Sequence, residues 1–289
     1  MGNEKIILFL NARMIPSSTS SRLSGRWRCP SWTTLGLGLH MLLTSIFLLV
    51  PLVVLVVYSF SGSRYATVWG GFSTQWYVRL AGNVELREAL WITLKLGGLS
   101  TLLATVLGTA AALGHWRLRG GGTRAVPTFF YLPVMVPEIV LGLALLIFFT
   151  KVWTVDRGLW TMTAGHVVFG VCYVFAVVSA RLRGFDGRLL EAARDLGATP
   201  WQAFRLVQLP MMLPGIVGGA LLSLALSLDE FVISYFVTGA GISTLPVKIF
   251  AMMKKGVTPE INALATVLLM ASVLLALLSI MVQGKHRAD

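Results

Sequence analysis

The chain has 289 residues, of which 56% are hydrophobic and only 12% charged, and its mean hydropathy is +0.77. A soluble domain carries about 25% charged residues, so a chain this apolar cannot cover itself as one water-exposed globule, and the composition points to a polytopic membrane protein. The formal net charge of +12 would suggest nucleic acid on a soluble protein, but here the basic residues sit between apolar runs, where they set topology, and no basic stripe is interleaved with aromatics.

Residues 1–34 form a polar tail with Arg13, Arg22, Arg26 and Arg28 among serines. Its apolar stretch Ile6 to Leu10 is too short for a signal-peptide core, and the tail is expected to be disordered or to lie on the membrane surface. A membrane domain over 35–283 follows, then a short tail over 284–289. Six runs are long enough to span, each about 20 residues or more. They are Leu35 to Phe60, Ala89 to Gly114, Ala125 to Thr150, Leu159 to Ala180, Met211 to Val237 and Ile261 to Gln283. Pro51, Pro133, Pro137 and Pro214 lie in or near spans, which is tolerable where neighbouring helices satisfy the freed carbonyls. Gly215 and Gly219 make a small-xxx-small face suited to close helix contact.

Lys and Arg are in excess on the side of the N-terminal tail, which holds Arg117, Arg119 and Arg124 and the stretch Arg181 to Arg205. That places both termini in the cytoplasm. The first outer loop carries Tyr65, Trp69, Phe72, Trp76 and Tyr77, as interfacial anchors or as a docking face for a partner. Cys29 and Cys172 neither pair plausibly nor show metal spacing.

Ionisable residues within spans are costly and face a cavity or a partner. Glu138 follows Pro137 in the third span, and Asp229 and Glu230 lie toward the outer part of the fifth. On one continuous helix Asp229 and Glu230 would point about 100° apart. An acidic lining would favour a cationic solute by Coulomb attraction. The structural alternative has Glu138 capping carbonyls freed near Pro133 and Pro137, and Asp229 pairing with a base of a partner subunit. Lys95 is placed to snorkel, and His166 to hydrogen-bond inside the bundle.

Between the fourth and fifth spans, residues 184–210 are a polar island. Arg188 to Leu196 are good helix formers with Leu189, Ala192, Ala193 and Leu196 at helical spacing. Gly197 ends that helix in the left-handed conformation. Thr199, Pro200 and Gln202 restart one as N-cap, first helical residue and capping-box partner. Leu209-Pro210 is expected to stop the second helix before the next span.

Glu191, Ala192, Ala193, Gly197, Val207, Leu209 and Pro210 at these spacings resemble the signature loop of the membrane subunits of bacterial ABC importers. Val207 stands where that family often has Ile. Ser227 to Gly239, Thr244 to Ile249 and Gly256 to Ala265 are similar to the polyamine branch of these permeases, as are Leu132-Pro133 and Pro137 to Gly142. The resemblance implies an all-α inner-membrane protein of a bacterial cell with six spans, N-in and C-in. Its cytoplasmic loop would carry a coupling helix, Glu191 through Gly197, with Arg194 or Asp195 making charge contacts to an ATPase and Pro210 closing the motif. It also implies a path bearing Glu138, Asp229, Glu230 and Tyr235.

Implied partners are a second permease subunit, an ATPase dimer that binds ATP and Mg, a periplasmic solute-binding protein and membrane lipid. Cofactors are expected in the partner ATPase and none in this chain, which has no G-x-x-x-x-G-K-[ST] phosphate loop. An enzyme is not expected, since no nucleophile–base pair or metal spacing is evident. The function implied is alternating-access import of putrescine or spermidine. Rival solutes are another organic cation, an amino-acid-derived compound or ferric iron. A stand-alone secondary transporter or channel would call for inverted repeats and paired broken helices, and would leave the island unexplained.

Overall fold

The computed structural model describes residues 31–118, 125–256 and 258–285. Most of the predicted tail, the turn with Arg119 and Arg124, and residues 286–289 lie outside the described residues. Among the described residues the chain is helical throughout, apart from turns and one isolated antiparallel bridge between Ser61 and Phe72. The helices are α1 (Ser31–Ser59), α2 (Gln75–Gly82), α3 (Val84–Arg117), α4 (Ala125–Met135), α5 (Glu138–Ile147), α6 (Leu159–Arg183), α7 (Arg188–Asp195), α8 (Pro200–Ala203), α9 (Leu209–Asp229), α10 (Val232–Val237), α11 (Leu245–Lys254) and α12 (Pro259–Lys285). Wide π-turns at Phe148–Val152 and Phe204–Gln208 extend α5 and join α8 to α9. Among the described residues four helical stretches are long and apolar enough to cross a membrane, and a fifth arises if α4 and α5 count as one bent span.

The first of two compact units is Ala89–Val247. Its centre is the contact of α6 with α9 and the adjoining part of α3. Val174, Phe175, Val178 and Leu182 of α6 are buried against Ala104, Ala112 and Met212. The approach is close because the facing residues are small. A Cβ on Gly219 would stand 3.3 Å from the Val174 Cα, and one on Gly215 would stand 2.9 Å from the Arg181 Cβ. The Gly215/Gly219 face is thus a helix contact, as its spacing predicts.

Two of the predicted spans are broken. The third bends by 98° between α4 and α5. Val136 precedes Pro137, whose ring disfavours helical backbone in the residue before it, and α5 restarts beyond. The fifth does not run to Val237. It ends at Asp229, Glu230 turns extended (φ −67°, ψ 109°), and α10 packs on α5 and α6. The expectation of a continuous helix through Asp229 and Glu230 is therefore corrected, and with it their 100° separation. Leu209-Pro210 does not stop a helix either. The π-turn widens the ladder so that the Leu209 N–H reaches the Phe204 carbonyl, and Pro210 follows at once in α9, accommodated by that widened turn within continuing helix. Helix runs on from Pro200 to Asp229.

The second unit comprises residues 31–88 and 248–285. In it α12 packs on α1 and α2. The aromatic loop after α1 folds on itself: the Trp76 indole donates to the Ser61 carbonyl at 2.7 Å, Tyr77 and Ser59 share a hydroxyl contact at 2.6 Å, and Phe60 stacks on Phe72 with centroids 5.4 Å apart. Trp76 is buried, while Tyr65, Trp69 and Phe72 stay exposed. Helix α1 already includes Ser31, four residues ahead of the predicted start.

Candidate functional site

Two features of the first unit carry the functional reading: the helix α7 with its elbow, and the break after Asp229.

Helix α7 ends in two hydrogen bonds of the Schellman type. The Gly197 N–H donates to the Arg194 carbonyl at 2.8 Å, and the Ala198 N–H to the Ala193 carbonyl at 3.0 Å. Gly197 has φ +87° and open space around it. Glycine is therefore required by backbone conformation and not by crowding. Two residues on, Thr199 accepts from the Gln202 N–H at 3.3 Å, and the Gln202 side-chain oxygen accepts from the Thr199 N–H at 2.8 Å. Both halves of the predicted capping box are made.

The motif residues divide by burial. Ala193 is buried with Ala203 and Val207, and Leu189, Leu190 and Ala198 pack around them. Glu191, Arg194 and Asp195 are exposed on the other face, Ala192 is half-buried, and Pro210 is exposed at the start of α9. Small residues at 193 and 203 let α7 lie close to the chain that follows, and the charged residues are left to face outward. An open groove of about 490 Å³ runs beside Glu191 and Arg194 to Trp116 and Gln208. Gln208, which the sequence reading did not single out, is fully buried with neither amide atom hydrogen-bonded.

The break after Asp229 is held by its own carboxylate. Glu230 is buried and accepts from the Ile233 N–H at 2.8 Å, so it caps α10 in place of lining an unbroken helix. Asp229 and Tyr235 are exposed, and the Tyr235 ring lies 5.6 Å from that of Phe231. Because α10 packs on α5, Glu138 comes within electrostatic reach of both Glu230 and Tyr173. Glu138 is exposed in the first turn of α5. There a carboxylate favours free N–H groups, not the freed carbonyls expected from the prolines. The four predicted path residues thus share one end of α5, α9 and α10. Tyr173 joins them, unforeseen, because nothing in its local pattern distinguishes it. Lys95 is exposed with its ammonium 5.2 Å from the Trp91 ring. His166 is hydrogen-bonded inside the bundle, to Ser227 and Ser234.

A family model for the binding-protein-dependent transport system inner membrane component matches residues 104–286. The chain belongs to that family. This inner-membrane component is 40% identical over 240 residues to the spermidine/putrescine transport system permease protein PotC of Haemophilus influenzae, which covers 83% of this chain and 93% of that protein. It is 41% identical over 235 residues to the putrescine transport system permease protein PotI of Escherichia coli K12, covering 79% and 84%. Among solved structures it resembles a bacterial ABC transporter involved in the import of the acidic polysaccharide alginate, with a TM-score of 0.64, 14% identity and coverage of 89% and 98%. It also resembles the MetNI methionine ABC transporter in inward-facing conformations, with a TM-score of 0.57, 23% identity and coverage of 70% and 95%. At those identities the structures speak for the fold alone. The family is one of transport permeases, and the chain is an all-α, multi-pass inner-membrane protein.

Proposed function

We propose that this inner-membrane component is the permease subunit of an ATP-driven importer that moves putrescine, spermidine or both into the cytoplasm. The observation that carries the coupling role is the burial pattern of α7. Its cap and its Ala193 face fix the helix to α8 and the π-turn, and Glu191, Arg194 and Asp195 remain exposed for a partner. The observation that favours polyamine is the roughly two-fifths identity to relatives named for those solutes.

In this reading the membrane domain has six spans, with α4 and α5 as one bent span and α12 as the last, and both termini face the cytoplasm. A periplasmic binding protein delivers the solute. The path is formed with a second permease subunit, and Glu138, Asp229, Glu230 and Tyr235 face a cation along it. Two ATPase subunits bind ATP and Mg, and α7 seated against them transmits their closure. Coulomb attraction in a low-dielectric path suits a diamine or triamine, and the aromatic ring of Tyr235 suits an ammonium group.

The test is uptake of labelled putrescine and spermidine by cells with and without this chain, its partners being present. Uptake that requires the chain supports the reading. An assembled complex that moves neither polyamine overturns the solute and leaves the importer. Robust ATP hydrolysis by the isolated chain would overturn the division of labour.

A further inference from the structure

Four buried side chains from four helices form one continuous hydrogen-bonded line across the break after Asp229. Ser100 of α3 meets Ser227 of α9, Oγ to Oγ, at 3.0 Å. Ser227 Oγ lies 2.7 Å from His166 Nδ1 on α6, and His166 Nε2 lies 2.9 Å from Ser234 Oγ on α10. All four are buried, and Ser234 completely. The Ser100 hydroxyl donates to the Leu96 carbonyl at 2.7 Å, so its oxygen must accept from Ser227. Ser227 then has no proton left for the ring. For a neutral imidazole, Nδ1 therefore donates to Ser227, and Nε2 accepts from Ser234. In this one direction every proton in the line has an acceptor, which is the condition under which a buried polar network specifies a structure.

The line spans the break itself. Ser227 is in the last turn of α9 and Ser234 is in α10, with Glu230 between them. Helix α9 is held to α6 by the close contacts at Gly215 and Gly219. Helix α10 has six residues, too few to be stable alone. Its buried Ile233 and Val237 fix how deep it sits, but apolar contact is non-directional. The Thr161 hydroxyl donates to the Val237 carbonyl at 3.0 Å and tethers its far end. The bond to Ser234 fixes its rotation. A rotation by one residue would carry Ser234 out and bring Tyr235 in, because neighbours on a helix point about 100° apart. Beside the line lies a crevice of about 10 Å³, lined by His166, Ser223, Ser227 and Glu230. That is room for about one water, so the line is not itself the solute's site.

We propose that His166 is a positioning residue for transport. Through Ser234 it sets the rotation of α10, and so the presentation of Glu230 and Tyr235 to the solute. This rests on the polyamine path described above. His166 touches no solute; it acts through the helix that does.

The test uses the complete complex, permease pair and ATPases, in proteoliposomes with loaded binding protein. Ser234→Ala and His166→Asn both remove the Nε2 contact. Each is expected to raise the half-saturating concentration for uptake about five- to tenfold, as loss of one buried hydrogen bond would, with complex yield and ATP turnover per complex kept. The double variant should be no worse than either single one, since both remove the same contact. His166→Gln, whose amide reaches the Nε2 position, should stay within about twofold of the original chain. Spin labels at the exposed positions Trp160 and Ala240 should give a narrow distance distribution that broadens in Ser234→Ala. The proposal is overturned if Ser234→Ala leaves half-saturation unchanged, or if His166→Gln is as impaired as His166→Asn. If the original complex moves neither polyamine, it is the solute reading that fails. The distance distribution then decides, with broadening upholding the role of His166 and an unchanged narrow distribution overturning it.

Discussion

The elbow after α7 and the break after Asp229 both redirect a helix, yet they are held in opposite ways. The elbow is local. Its hydrogen bonds join residues between Ala192 and Ala203, and its packing partners Ala203 and Val207 follow within a few residues. The break is tertiary. One local side-chain bond, from the Ile233 N–H to Glu230, caps α10, and side chains of other helices, Thr161, His166 and Ser100, bond across to it and to the end of α9. Under the proposed function the difference has a use: a helix that docks on a separate subunit gains from being rigid by itself, whereas a short helix beside a path takes its orientation from the helices packed around it.

That contrast can be broken at the elbow first. Gly197→Val puts a β-branched residue at φ +87°, where the left-handed conformation costs roughly 1–2 kcal/mol or more, and the cap is lost. Uptake per complex should fall about tenfold or more while insertion into the membrane is unchanged. Gly197→Asn, which tolerates that conformation, should keep most of the activity. If valine is harmless, the elbow does not transmit motion.

A smaller effect is expected from Ala193→Leu. It adds three carbons where Ala193 meets Ala203 and Val207, and such overpacking costs about 1–3 kcal/mol. The expected result is weaker co-purification of the ATPase and a several-fold loss of uptake. Equal recovery of the ATPase would show that the buried face of α7 does not govern docking.

At the break, Glu230→Gln and Glu230→Ala separate charge from cap. Gln keeps an oxygen for the Ile233 N–H but loses the charge; Ala loses both. Gln should lower cation uptake several-fold while α10 stays protected from hydrogen exchange, and Ala should also expose the Ile233 amide. If Gln behaves as the original chain, Glu230 serves structure alone.

The smallest effect belongs to Thr199→Ala, which removes one half of the capping box for about 1 kcal/mol. Faster exchange of the Gln202 amide is expected, with uptake reduced by about two- to threefold. An unchanged exchange rate would mean that the box does not hold α8.

Legibility followed the same division. Gly197, Thr199 and Gln202 were readable because each acts on neighbours in the chain, and residue type with spacing is enough to state such an interaction. The helix itself was readable from the spacing of Leu189, Ala192, Ala193 and Leu196, but which of them is buried was not: Ala193 is buried and Leu196 is exposed. Pro210 misled because a proline after leucine looks like a stop, and nothing local signals the π-turn that absorbs it. Asp229-Glu230 misled further. The run Met211 to Val237 is apolar enough to continue, and the break depends on Glu230 turning back to Ile233 and on packing against α5 and α6. His166 was correctly expected to be bonded in the bundle, but its partners lie 61 and 68 residues away, and no spacing rule connects them. Pro137 lay between these cases. It was expected to be tolerated within one span, and the 98° bend that goes with its restriction on Val136 was not foreseen.

The most direct test is ATP-driven uptake of labelled putrescine and spermidine by the reconstituted complex, with this chain either unaltered or carrying Gly197→Val. Uptake by the unaltered complex, lost in Gly197→Val while ATP turnover persists, is the expected result and would tie polyamine import to the α7 elbow. No uptake of either polyamine by the unaltered complex, or equal uptake by both, would contradict it.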